Sequence, residues 1–263
     1  MHLLQALCHK KLISVMKLQT CKKILILYLF IMFSQILNAQ NVLRIQYHCL
    51  FRNVEEATFP YSETRVLEIN DSTSAFFWID PLEDGIPFLN ESLPYRIYKN
   101  YPKQNEITFI GGISNLNFYY TEKMPEFDWS LQDGDSTICN YVCHKALTLF
   151  RGRTWKVWYT EELPYDDGPW KLKGLPGLIL KAEDANGDFS FTAIGIKKCE
   201  NMSIKMSLKG FCKTSRKNYQ EDVTEYRRDP EAFFNATHNV KIHRIYKDGQ
   251  HKPAPKTPCF LEH

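Results

Sequence analysis

The chain has 263 residues, 44% of them hydrophobic and 14% aromatic, with 33 basic and 30 acidic side chains. That length and apolar share suit one large β-domain, or one domain with a helical appendix. The charge balance leaves no basic footprint for nucleic acid, and there is no internal repeat or low-complexity segment.

Lys10, Lys11, Lys17, Lys22 and Lys23 precede an apolar run from Ile24 to Phe33, and Leu37-Asn38-Ala39 offers a small residue before Gln40. Basic, then apolar, then cleavable is the order of a signal peptide, expected over residues 1–39, with Met16 as an alternative start. The run is short for a membrane span; the competing reading is an uncleaved N-terminal anchor. Cys21 precedes the run, so it is no lipoprotein anchor. No transmembrane segment is expected once the leader is removed. Without the five leader lysines the mature chain, 40–263, keeps 28 basic against 30 acidic side chains, formally −2.

Val42 to Cys49 alternates Val42, Arg44 and Gln46 with Leu43, Ile45 and Tyr47 and predicts a first strand. Glu55 to Thr64 reads as a loop, Arg65–Ile69 and Ser72–Ile79 as a hairpin around Asn70-Asp71, and Asp80 to Pro94 as an irregular connection. Short strands are expected at Tyr95–Tyr98, Glu106–Ile110, Asn115–Thr121 and Phe127–Leu131. Tyr141–Phe150 and Arg153–Tyr159 form a second hairpin, turning at Arg151-Gly152.

The next stretch, Asp166 to Leu180, holds three glycines and two prolines and organises the rest. Pro176 sets its own φ and pushes Leu175 toward extended geometry, while Gly177 offers φ > 0 at no steric cost. Gly174 to Gly177 therefore reads as a rigid bend entering a strand, Leu178 to Glu183. Asn186-Gly187 signals a two-residue turn into a return strand, Phe189 to Ile196. Centring the turn there pairs Ala182 with Phe191 and Leu180 with Ala193 on an apolar face. The opposite face carries Lys181 with Thr192 and Glu183 with Ser190, so one side is buried and one wet.

After Lys197 the character changes. Lys198 to Lys217 is basic. Tyr219, Val223 and Tyr226 lie at helical spacing, and Asp229-Pro230-Glu231 reads as an N-cap with proline at the first helical position. A helical part near 214–238 and a Pro-rich tail close the chain. The fold class expected is mainly β: a curved antiparallel sheet, or open half-barrel, with one or two C-terminal helices.

The string Gly174-Leu175-Pro176-Gly177-Leu178-Ile179 resembles the signature of the GLPGLI family. Phe150-Arg151-Gly152-Arg153-Thr154-Trp155, Trp158-Tyr159-Thr160 and Asp167-Gly168-Pro169-Trp170-Lys171 are similar to that family's pattern in order and spacing. The resemblance is close from Cys143 to Lys197 and looser at the mature start and the tail. It implies an exported protein of the periplasm or cell envelope of a Gram-negative bacterium, without an established activity. No catalytic residue transfers.

Trp155, Trp158, Tyr159 and Trp170, with Phe150, either line a concave apolar pocket or partner surface, or form the core beneath the helix. Glu161, Glu162, Asp166 and Asp167 supply either an acid–base pair for glycoside cleavage or a solvated acidic loop pairing with Arg151 and Arg153. Six cysteines remain in the mature chain, and Cys199 with Cys212, flanking one loop, is the favoured disulfide. His48-Cys49 and Cys143-His144 match no zinc spacing, so no metal or other cofactor is expected. The expected function is non-catalytic, binding an apolar ligand or an outer-membrane protein. The alternatives are a structural envelope module without a small ligand and, last, a hydrolase using loop 161–167.

Overall fold

A computed structural model describes residues 41–52, 61–78, 95–114 and 116–238. The leader, most of the first loop, the connection before Tyr95 and the tail with Cys259 lie outside the described residues. Chain contacts divide the molecule into two units, Met1–Asn41 with Glu200–Ser203, and Val42–Cys199 with Ile204–His263. Of the first, only Asn41 and residues 200–203 are described, and they form no helix or strand. The second unit holds the sheet and the helices.

Its strands are β1 Val42–Phe51, β2 Tyr61–Ile69, β3 Ser74–Trp78, β4 Tyr95–Lys99, β5 Glu106–Ile113, β6 Leu116–Lys123, β7 Ser130–Ile138, β8 Tyr141–Phe150, β9 Arg153–Thr160, β10 Leu178–Asp184, β11 Phe189–Cys199 and β12 Cys212–Lys213. Two helices come after them, α1 Arg216–Arg228 and α2 Pro230–His238. The strands form one open sheet in the order β12-β6-β5-β4-β3-β2-β1-β11-β10-β9-β8-β7. The described pairings are antiparallel except β12 with β6, which is parallel.

The sheet is strongly curled. The segment from Met124 to Trp129 joins β6 to β7, which stand ten places apart in the strand order. A flat sheet would separate them by about 48 Å, whereas seven residue steps reach at most about 25 Å. Side chains agree: the rings of Phe76 on β3 and Phe191 on β11 lie 6.0 Å apart across two intervening strands. One inner row runs Ile45, Leu67, Phe76, Ile97, Phe109, Tyr120 across β1 to β6, and every member is buried. A second inner row runs Leu43, Ile69, Ser74, Lys99, Ile107, Glu122. Alternation along β1, β8, β9 and β11 turns the apolar set inward, which is why those strands were legible.

The β8–β9 turn has φ of 52° at Arg151 and 70° at Gly152, the left-handed pair that a two-residue hairpin favours. The β10–β11 hairpin keeps the expected register, with Ala182 opposite Phe191 and Lys181 opposite Thr192. Its turn differs. Gly187 alone is left-handed, at 73°, and its N–H donates to the Asp184 carbonyl at 3.0 Å. The turn is therefore centred on Ala185-Asn186, one residue earlier than Asn186-Gly187. A carboxylate oxygen of Asp184 accepts the Phe189 N–H at 2.8 Å and closes the loop. The strand expected at Phe127–Leu131 begins at Ser130 instead and continues to Ile138 through a bulge at Gln132–Asp135.

Ser215 caps α1 by accepting the Asn218 N–H at 3.1 Å, and Tyr219 and Val223 face inward. Tyr219 packs on Phe109 at 5.1 Å between centroids. A Cβ at Gly111 would stand 2.4 Å from the Tyr219 hydroxyl, so glycine there admits the helix. Asp229 caps α2 through the Ala232 N–H at 2.9 Å, and Tyr226 meets Phe233 at 5.6 Å. No helix among the described residues is long and apolar enough to cross a membrane.

Candidate functional site

The concave face is filled by the chain's own β9–β10 loop, residues 161–177. Asp167, Trp170, Lys171, Leu172 and Leu175 of this loop are all buried. Two ionic contacts join it to the second inner row. Lys99 on β4 pairs with Asp167 and donates to the carbonyls of Gly168 at 2.8 Å and Leu172 at 3.2 Å. The loop thus folds around an ammonium that uses its three N–H donors. Burial lowers the Lys99 pKa, and the Asp167 carboxylate opposes that shift. Lys171 runs the other way, from the loop to Glu122 on β6 at 2.7 Å and the Tyr120 hydroxyl at 3.3 Å. Arg151, from the β8–β9 turn, meets the same Glu122 at 2.9 Å.

The loop returns to the sheet through its backbone. Ile179 N–H donates to Asp167 O and Leu178 N–H to Leu163 O, both at 3.0 Å. The Tyr47 hydroxyl donates to Ile179 O at 2.6 Å; burial, first of all, holds its pKa well above the usual range. Trp129 donates to Lys173 O at 2.9 Å. Gly174 is left-handed at 95°, whereas Gly177 is not left-handed. The bend at Gly174–Gly177 therefore takes its positive φ from the first glycine. The second serves close packing, because a Cβ on Gly177 would stand 2.1 Å from Thr160 O.

Three of the four candidate binding residues belong to this core. Trp155 and Trp170 are fully buried and 5.4 Å apart, and Tyr159 is 3% exposed. Trp155 also stacks on Phe191 at 6.1 Å, and Trp170 meets Phe150 in a tilted contact at 5.3 Å. All three sit within the hydrophobic cluster that sheet and loop share. Trp158 is half-buried, with the amines of Lys181 at 4.3 Å and Lys156 at 5.3 Å from its ring. Both lysines bond Glu183. Burial alone would raise the Glu183 pKa, and these two bonds outweigh it and hold it low.

Three of the four acids of the loop have separate partners. Asp166 is taken up by Lys173 at 3.0 Å and the Gly174 N–H. Asp167 is buried against Lys99, and Glu162 accepts the Val142 N–H at 3.2 Å. Arg151 and Arg153, expected to pair with these acids, go elsewhere. Arg151 binds Glu122, while Arg153 binds Asp184 at 2.6 Å and Asp188 at 2.8 Å. Lys99 and Glu122 carried no sequence signal, since each reads as an ordinary polar residue at a strand end.

The expected Cys199–Cys212 disulfide is absent, and both thiols are free. Cys199 ends β11 beside β1, whereas Cys212 lies on β12 beside β6, with seven strand steps between them in the sheet. Cys49 and Cys143 are free and buried; burial pushes their pKa values up to about 12 and about 11. No group of three or more His, Cys, Asp or Glu suited to a metal ion occurs among the described residues.

Fold and site together define an open β half-barrel closed from within by one of its own loops. Residues 97–227 match the model of a family described as "N-glycanase peptide, N-terminal domain". Two structures of PNGF-II, in space groups P21 and C2, are each 20% identical, with TM-scores of 0.54 and 0.52. They cover 72% and 71% of this chain but only 34% and 33% of theirs, so the chain spans about a third of that protein. The likeness is one of fold. A DUF1329 family protein from Desulfovibrio piger ATCC 29098 aligns over 69% of this chain and 93% of its own, at 10% identity and a TM-score of 0.23, too low to carry an argument. No curated protein matches.

Proposed function

We propose that the chain is an exported, non-catalytic envelope protein that works through its outer surface, docking on an envelope partner, and that its concave face holds no separate apolar ligand. The observation that supports this is the occupancy of that face by Trp170, Lys171, Leu172 and Leu175, sealed by Lys99–Asp167 and Lys171–Glu122. A carrier of an apolar molecule keeps such a face open; here the chain supplies its own occupant. The basic-then-apolar leader supports export. The resemblance of the Gly174–Ile179 region to the GLPGLI family supports the periplasm or envelope of a Gram-negative bacterium.

The match over 97–227 favours a second reading, in which the partner is a glycan-processing enzyme and this chain its accessory module. Native mass spectrometry of protein from the source envelope, beside a pull-down from the same extract, separates the readings. A retained envelope protein and no stoichiometric small molecule are expected. A lipid bound one to one would overturn the sealed-face reading. Release of glycan from a denatured glycoprotein by the chain alone would overturn the non-catalytic one.

A further inference from the structure

We propose that residues 204–217 form a basic docking surface for an anionic phospholipid bilayer. This deepens the envelope-docking reading and rests on it. The segment carries Lys205, Lys209, Lys213, Arg216 and Lys217 and no acidic residue. The rest of the mature chain has 23 basic against 30 acidic side chains, so positive charge is concentrated here.

The fold carries the stretch from Lys205 to Lys213 along the convex face, and Arg216 and Lys217 follow at the start of α1. An outer row runs Lys197, Arg44, Glu68, Ala75, Tyr98, Thr108 from β11 to β5. The segment lies against that row, where the Tyr98 hydroxyl donates to Lys205 O at 3.1 Å. Farther on, Lys213 stands beside Tyr119, and Thr214 N–H donates to Tyr119 O at 2.9 Å. Tyr119 shares the outer face with Thr121, the next member of the row on β6.

Lys197, Lys205, Lys209 and Lys213 are exposed, and among the described residues no carboxylate pairs with them. Exposed lysines elsewhere do find partners: Lys103 meets Glu106 and Lys123 meets Glu126. Between the lysines, Met206, Leu208 and Phe211 are half-buried. A turn from Leu208 to Phe211 lifts Lys209, with Gly210 left-handed at 82° and nothing within 4 Å of where its Cβ would be. Cations flanking partly exposed apolar groups suit the headgroup layer of a bilayer. The backbone is already tied to the sheet, so docking orders little. The export proposed above selects lipid over nucleic acid as the anionic partner.

Flotation of the mature chain with vesicles tests the proposal. Binding to phosphatidylcholine vesicles containing phosphatidylglycerol at low salt is expected, with none to phosphatidylcholine alone and loss at high salt. The triple variant Lys205→Glu, Lys209→Glu, Lys213→Glu should bind about a hundredfold more weakly. The control Lys103→Glu, Lys123→Glu should stay within a few-fold of the parent, and all three proteins should share one urea midpoint. No binding to the anionic vesicles, equal binding to neutral ones, or undiminished binding by the triple variant would overturn the proposal. Capture of an envelope protein by a chain that ignores vesicles overturns this surface and leaves the docking reading intact. A chain that binds neither overturns both.

Discussion

Gly177 lies so close to Thr160 that a Cβ on it would stand 2.1 Å from the Thr160 carbonyl oxygen and 2.6 Å from its carbon. Both neighbours are backbone, at the point where β9 leaves the sheet and β10 rejoins it, so neither yields by turning a side chain. Gly174 works differently: its φ is 95°, and the nearest atoms to a Cβ there are side-chain ones, the Trp129 indole at 3.1 Å and the Phe127 Cβ at 3.7 Å. The signature therefore holds one glycine for conformation and one for contact.

Gly177→Ala should be the more damaging of the two substitutions, lowering stability by about 1–3 kcal/mol or more through overpacking. Gly174→Ala should cost about 1 kcal/mol from the strained φ. Paired urea titrations read both. A Gly177→Ala protein as stable as its parent would remove the contact argument.

Leu178 is fully buried at the start of β10. Leu178→Ala should cost about 2–5 kcal/mol, the range for a buried leucine. If the unfolding midpoint held while envelope partners were lost, the segment would be a docking surface rather than core.

Lys99 and Asp167 form a buried pair, and removing one leaves the other uncompensated. Lys99→Met should destabilise by about 3–5 kcal/mol, and adding Asp167→Leu should recover much of the loss. A double variant no better than the single one would show that the carbonyls of Gly168 and Leu172 need the ammonium more than the carboxylate does.

Gly187→Val should cost about 1 kcal/mol or more, because a β-branched residue resists a φ of 73°. Shifting the turn by one residue leaves this expectation unchanged, since glycine still holds the left-handed position. An unaltered denaturation midpoint would reassign the turn.

Thiol labelling separates the cysteines. Cys212 is exposed and should react with iodoacetamide in the native protein, while Cys49 and Cys143, buried with raised pKa values, should react only after unfolding. If Cys199 and Cys212 resisted the reagent until reduced, the disulfide expectation would return.

Most of the strands, the hairpin registers and the helical C-terminal part were legible in the chain alone. They rest on local physics: alternation in Val42–Cys49, left-handed residues at Arg151-Gly152, a cap and proline at Asp229-Pro230. The Asp166–Leu180 stretch stood out as the organiser for the same reason, because glycine and proline restrict the chain wherever they stand. What that stretch does depends on the folded sheet. Its curl brings Lys99 and Glu122 on β4 and β6 to a loop between β9 and β10, and no local pattern encodes contacts at such separation. The same curl makes Trp155, Tyr159 and Trp170 core rather than pocket, since an aromatic run has one sequence signature in either place. Strand order parts Cys199 from Cys212, whose nearness in sequence says nothing of the strands on which they end. The basic character of 198–217 was plain from composition. That Lys197 and Lys213 share one outer face came from strand register, and that Lys205 lies against it came from the Tyr98 hydroxyl bond; the chain fixes both only when folded.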